Sequence, residues 1–162
     1  MITPEKVAEV LKGQEGNGIF QVEVNPEGYV HSQLENRIEP SQPYTLMVHP
    51  IAQERTLRIG ISMIMSDLPD YSALGVSASS TISFGNKHLT ADTEKGMVFE
   101  LNHLCQDGDD NAPSPEELGQ LLDGMVKFFR QIETLMLHTK GLVETIMGMM
   151  PPILQEFPIL GL

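Results

Sequence analysis

A chain of 162 residues, 41% of them hydrophobic, is long enough to bury a core without cross-links and too apolar for disorder. Its 22 acidic side chains against 10 lysines and arginines leave a net charge of −12. With no basic stripe to interrupt that surplus, nucleic acid is excluded as a partner and anionic membrane surfaces are disfavoured. A single cysteine, Cys105, excludes an internal disulfide and suits a reducing compartment. Met1 leads into Ile2-Thr3-Pro4-Glu5 with neither a basic nor an apolar leader region, so a cytoplasmic location is expected.

Thr3 reads as an N-cap with Pro4 at the first helical position and Glu5 beside the positive end. Ile2 and Val7 can close a hydrophobic staple, Val7, Val10 and Leu11 form a stripe, and Gly13 ends a short helix. Four strands are then expected. Phe20, Val22 and Val24 alternate with polar residues; the turn Asn25-Pro26-Glu27-Gly28 leads to an extended run from Tyr29 to about Ile38. Tyr44, Leu46 and Val48 alternate again, as do Leu57, Ile59, Ile61, Met63 and Met65, with a polar hairpin loop from Pro50 to Arg55 between them.

From Asp67 to about Phe84, Leu68, Tyr71, Leu74, Ala78 and Ile82 recur at helical spacing, and a helix is expected despite Gly75 and several serines. A hairpin follows. With Glu94-Lys95-Gly96 as its loop, Leu89 faces Leu101, Ala91 faces Phe99, and Lys87 and Thr93 fall opposite His103 and Met97. The acidic loop after Leu104 precedes a long helix opened by a capping box, Ser114 with Glu117, and Pro115 in its first turn. Its apolar face comprises Leu118, Leu121, Leu122, Met125, Phe128, Phe129, Ile132, Leu135 and Met136. The helix reaches about Lys140; Gly141 can pause it, and Leu142 to Met150 can continue it until Pro151-Pro152 ends it.

No pattern reads as chemistry. His88, His103 and Cys105 could suggest a metal site, but the hairpin register puts His88 on the other face from the other two. Asp107, Asp109 and Asn111 are spaced as calcium ligands, yet Ala112 stands where the glycine belongs and Leu118 where the bidentate glutamate belongs. The glycine-rich run from Gly13 to Gly18 joins a helix to a strand, the reverse of a phosphate cradle. Gly75-Val76-Ser77-Ala78-Ser79 imitates a nucleophile elbow without its closing glycine or a parallel sheet. Glu23, Glu35 and Glu100 read as solvated strand positions rather than as a catalytic pair. No enzyme activity, metal or cofactor is expected.

The C-terminal segment is distinct. Leu142 to Leu162 holds twelve large apolar residues, no lysine or arginine, and only Glu144 and Glu156 as acids. Those acids, Pro151, Pro152, Pro158 and the missing basic flanks argue against a membrane span. The segment is expected to pack on its own domain, on a second subunit or on another protein. The candidate contact residues are Met147, Met149, Met150, Ile153, Leu154, Phe157, Ile159 and Leu160, the methionines being adaptable to varied surfaces.

The order helix, strands, helix, hairpin, long helix, together with Leu89-Thr90-Ala91-Asp92-Thr93-Glu94-Lys95-Gly96-Met97-Val98-Phe99-Glu100-Leu101 and the capped helix start at Ser114 to Leu118, resembles the YbjN-like family. The resemblance spans roughly residues 3 to 140, and it implies the fold of type III secretion chaperones. It also implies a non-enzymatic, chaperone-like or regulatory role through protein contacts, often as a homodimer. The expected architecture is therefore α+β, an antiparallel sheet flanked by helices in the order α-β-β-β-β-α-β-β-α. Residues 1–141 would form the domain and 142–162 an apolar segment covered by the domain or a partner. The rival readings are a small-ligand binder or enzyme with a pocket between sheet and helices, and a membrane-associated protein held by its tail.

Overall fold

The computed structural model describes residues 1–63, 79–84, 87–92, 96–105 and 108–149, with side chains over 1–62, 88, 98–105 and 108–138. The fold is α+β. Helix α1 spans Pro4–Lys12, and seven strands follow among the described residues: β1 (Ile19–Val24), β2 (Val30–Leu34), β3 (Tyr44–Ile51), β4 (Thr56–Met63), β5 (Ser79–Phe84), β6 (Lys87–Asp92) and β7 (Gly96–Leu104). Helix α2 spans Pro115–Met149. The strands form one antiparallel sheet in the order β1-β2-β3-β4-β7-β6-β5.

The α1 start is as its residues require. The Thr3 hydroxyl accepts from the Lys6 backbone N–H at 3.3 Å, and Ile2 and Val7 are buried on either side of that cap. At α2 the Ser114 hydroxyl accepts from the Glu117 N–H at 3.2 Å and its carbonyl from Leu118 N–H at 2.9 Å.

Pairing aligns the rows that make the core. Ser32, Leu46, Ile61, Phe99, Leu89 and Ile82 lie in one line across six strands, and Val30, Val48, Ile59 and Leu101 in the next. Alternate residues share a face, and Val30, Leu46, Val48, Ile59, Ile61, Phe99 and Leu101 of these rows are buried as one apolar side. Against it pack Val7, Ala8 and Leu11 of α1 and Leu118, Leu122, Met125, Val126 and Phe129 of α2. Phe129 meets Tyr44 edge-on at 4.8 Å between ring centroids, and Phe128 stacks on Phe99 at 5.4 Å. The other face is polar, as where Arg58 donates to Asn102 and Asn102 to Glu100 at 3.1 Å each.

Several expectations are corrected. The predicted helix from Asp67 to Phe84 fails over Ser79–Phe84, which is strand β5 paired with β6; residues 67–78 lie outside the described residues. Ser79, Ser80 and Thr81 are weak helix formers, and pairing with β6 satisfies the backbone groups on that side of the strand. The hairpin register is displaced by two residues: Leu89 pairs with Phe99, Ala91 with Met97, Lys87 with Leu101, and Asp92 with Gly96. Gly96 is thus a strand residue rather than a loop residue, and 93–95 lie outside the described residues. A two-residue displacement keeps every side chain on its face, so alternation alone cannot detect it.

In β1 the buried residue is Ile19, whereas Val24 is 43% exposed. A bulge at Gln21, whose φ is +52°, shifts the pairing from Phe20 opposite Gln33 to Glu23 opposite His31 and breaks the expected alternation. Finally, α2 passes through Gly141 without interruption and runs 35 residues.

Candidate functional site

The most unusual chemistry of the described residues lies where the segment after β2 meets the middle of α2. Glu133 is 2% exposed, a carboxylate placed inside the core. Such a charge persists only if its oxygens are well supplied with donors. Here the Tyr44 hydroxyl donates to Oε2 at 2.6 Å, the Arg37 backbone N–H at 3.1 Å, and Arg130 Nη1 to both oxygens at 3.0 and 3.1 Å. Arg130 Nη1 also donates to the Glu35 carbonyl at 2.7 Å.

Asn36 completes the corner. Its Nδ2 donates to the Gln42 carbonyl at 2.8 Å, and its Oδ1 accepts from the Ile38 and Glu39 N–H groups at 2.9 and 3.0 Å. The turn between β2 and β3 is thereby folded on itself and pinned to α2.

The electrostatics identify what this cluster can do. Burial first, then the hydrogen bond to Glu133 and its negative charge, push the Tyr44 phenol far above its ordinary range, against a smaller lowering by Arg130. The phenol is held as a donor, so it is neither a base nor a nucleophile. Arg130 Nε and Nη2 are enclosed and have no hydrogen-bond partner among the described residues. Beside them Gly18 sits at φ +82°, which favours glycine, and a Cβ there would crowd its neighbours, 3.2 Å from Nη2 and 3.1 Å from the Glu35 carboxylate. The arrangement is a fastening between turn and helix. Sequence reasoning missed it because Glu133 and Arg130 look like ordinary exposed charges of an amphipathic helix. The available signal was a glutamate one position from the apolar Ile132.

The remaining candidates are dispersed. His88 pairs with Glu100 and Ser83, His103 with Leu57, and alternation along β7 puts Glu100 and His103 on opposite faces. Among the described residues no three His, Cys, Asp or Glu side chains gather as a metal set. Burial raises the Cys105 thiol above its ordinary pKa, the largest of its influences. Asp109 accepts from the Asn111 N–H at 2.9 Å in a local turn, and Asp107 lies outside the described residues. Ser79 opens β5 opposite Asp92, and the rest of the elbow-like run is likewise outside.

The Gly13–Gly18 loop borders an open depression of about 530 Å³ with Glu116, Gly119, Gln120 and Asp123. Lys127 and Asn17 hydrogen bonds hold Asp123 below the usual carboxylate range, the lysine contributing most at 2.8 Å. A smaller hollow of about 200 Å³ lies among Met1, Arg55, Cys105 and Asp109. The first is lined by carboxylates and amides, and the second sets the Cys105 thiol beside the chain's terminal amine and two aspartates.

Of the predicted contact residues, Met147 and Met149 fall on the last turns of α2, while Met150, Ile153, Leu154, Phe157, Ile159 and Leu160 lie outside the described residues. The last buried side chain described on α2 is Glu133. Beyond it Leu135 is 65% and Leu137 43% exposed, and the helix continues to Met149. Among the described residues no helix is long and apolar enough to cross a membrane. No protein-family model, curated protein or solved structure matches the chain.

Proposed function

We propose that this protein is a non-enzymatic protein-interaction module, chaperone-like or regulatory, whose contact element is the last turns of α2 and the apolar segment after them. The observation that carries the reading is the course of α2. Its first half is covered by the sheet, yet the helix goes on from Leu135 and Leu137, both exposed, into a segment with twelve large apolar residues after Gly141. Apolar surface of that density is covered in a working protein, and an extended, methionine-rich element adapts to many surfaces. The fastening at Glu133 supports this reading by anchoring the helix just before the exposed Leu135 and Leu137. The resemblance to the YbjN-like family points the same way.

Binding of the full chain to a permanently unfolded probe, reduced and carboxymethylated α-lactalbumin, tests the proposal. Wild type should bind, and the paired substitution Phe157→Asp with Leu160→Asp should weaken binding at least ~10-fold, the effect of losing apolar anchors. Equal binding by both proteins, or none by wild type, overturns it.

A further inference from the structure

The open depression of about 530 Å³ between the loop after α1 and the first turns of α2 is kept free of side chains in an unusual way. Gly13, Gly16 and Gly119 line it, and none of the three has a positive φ. A Cβ at Gly16 would meet nothing within 4 Å, and one at Gly119 only Gln14 Nε2 at 3.7 Å, an ordinary contact. Neither backbone conformation nor packing calls for glycine at 16 or 119, and within a helix glycine is the poorest former after proline. What the missing side chains provide is room for another main chain to come close.

The rest of the lining is polar and negative. Glu116 forms no hydrogen bond or ion pair among the described residues, and Asp123 adds a carboxylate shared with Lys127 and Asn17. Gly13 is the C-cap of α1, so the negative end of that helix adjoins the depression as well. No lysine or arginine lines it. Gln14, Asn17 and Gln120 supply amides, each with the donor and the acceptor that a peptide group also carries.

We propose that this depression binds a basic side chain carried on an extended segment of a partner protein. Glu116 and the carbonyl end of α1 hold the cation, the amides bond the flanking peptide groups, and the glycines let that main chain approach. Charge complementarity selects the occupant, because an anionic segment would meet two carboxylates on a molecule of net charge −12. The site stands apart from the contact element proposed for the last turns of α2, and neither depends on the other.

Titration of the ¹⁵N-labelled full chain with the capped peptide acetyl-Ala-Ala-Lys-Ala-Ala-amide tests it, read from the amide resonances of Gly13, Gly16 and Gly119. These should shift together and saturate with a dissociation constant of about 1 mM or tighter. The same peptide with glutamate for lysine should leave them still. n-Butylamine, an ammonium without peptide groups, should bind at least ~3-fold more weakly. Gly119→Leu fills the depression and improves helix propensity, so this variant should stay folded and lose binding at least ~10-fold. Glu116→Gln should weaken binding about two- to fivefold, the yield of an exposed charge pair, whereas Glu27→Gln in the turn after β1 should not. The two glutamate variants decide the matter if Gly119→Leu loses stability. Absent or unsaturable shifts, equal binding of the glutamate peptide or of n-butylamine, a folded Gly119→Leu variant that binds as wild type, or equal effects of Glu116→Gln and Glu27→Gln overturn the assignment.

Discussion

Two stretches of α2, 118–133 and 134–138, follow one amphipathic pattern and differ in how far their side chains are buried. From Leu118 to Glu133 the apolar stripe lies on the sheet, with Leu118, Leu122, Met125, Val126 and Phe129 buried against Tyr44, Phe99 and their neighbours. From Thr134 to His138 no described side chain is buried, and Leu135 and Leu137 face outward. At 1.5 Å per residue the whole helix is roughly 52 Å long. Periodicity therefore establishes that a stripe exists, and the extent of the sheet decides how much of it is core.

Removing a ring from the covered half gives the largest expected effect. Phe129→Ala deletes contacts to both Tyr44 and Phe99 and leaves a cavity, so urea unfolding should show a loss of about 3–5 kcal/mol. A loss under about 1 kcal/mol would mean that the covered half is not the anchor and would dissolve the contrast.

The fastening at the boundary comes next. Tyr44→Phe removes a hydrogen bond to a buried carboxylate, and about 1.5–3 kcal/mol of stability should go with it. The substitution also has a pH signature. Because the folded-state pKa of Tyr44 is raised, its contribution is intact below the ordinary tyrosine value of about 10 and is lost as pH climbs above that value. Unfolding free energies measured between pH 8 and 11 should fall more steeply for wild type than for Tyr44→Phe. Parallel curves would remove the buried phenol from the account.

The parts of this fold legible in sequence are those set by local chemistry. Thr3, Ile2 and Val7 announce α1, Ser114 and Glu117 announce α2, and alternation from Leu57 to Met63 announces β4. What failed depends on partners distant in sequence. Ile82 recurs at helical spacing with Ala78, yet β6 recruits it into a strand; the β6–β7 register is fixed beyond a period-2 pattern, which is blind to a shift of two. The Glu133 site was illegible for the same reason: Tyr44 and Arg37 stand 89 and 96 residues away, and only the folded turn after Asn36 brings them to the helix. Candidate contact residues were read from composition alone, which identifies apolar surface and not its owner.

Smaller effects bracket the comparison. Ser114→Ala removes the cap of the covered half and should cost about 1 kcal/mol by urea unfolding. In the stretch after Glu133, Leu135→Ser exchanges a side chain that is 65% exposed and should change the unfolding free energy by less than about 0.5 kcal/mol. That near-zero value is the most discriminating of the set. A leucine in a closed core loses several kcal/mol on truncation, so a measured cost above about 2 kcal/mol would show that residues of the same chain cover this turn in solution. If the cost is small and grows with protein concentration, the cover is instead another molecule, since association stabilises by mass action. A small, concentration-independent cost means that Leu135 contributes little to the fold, the condition that the proposed docking role requires at this turn.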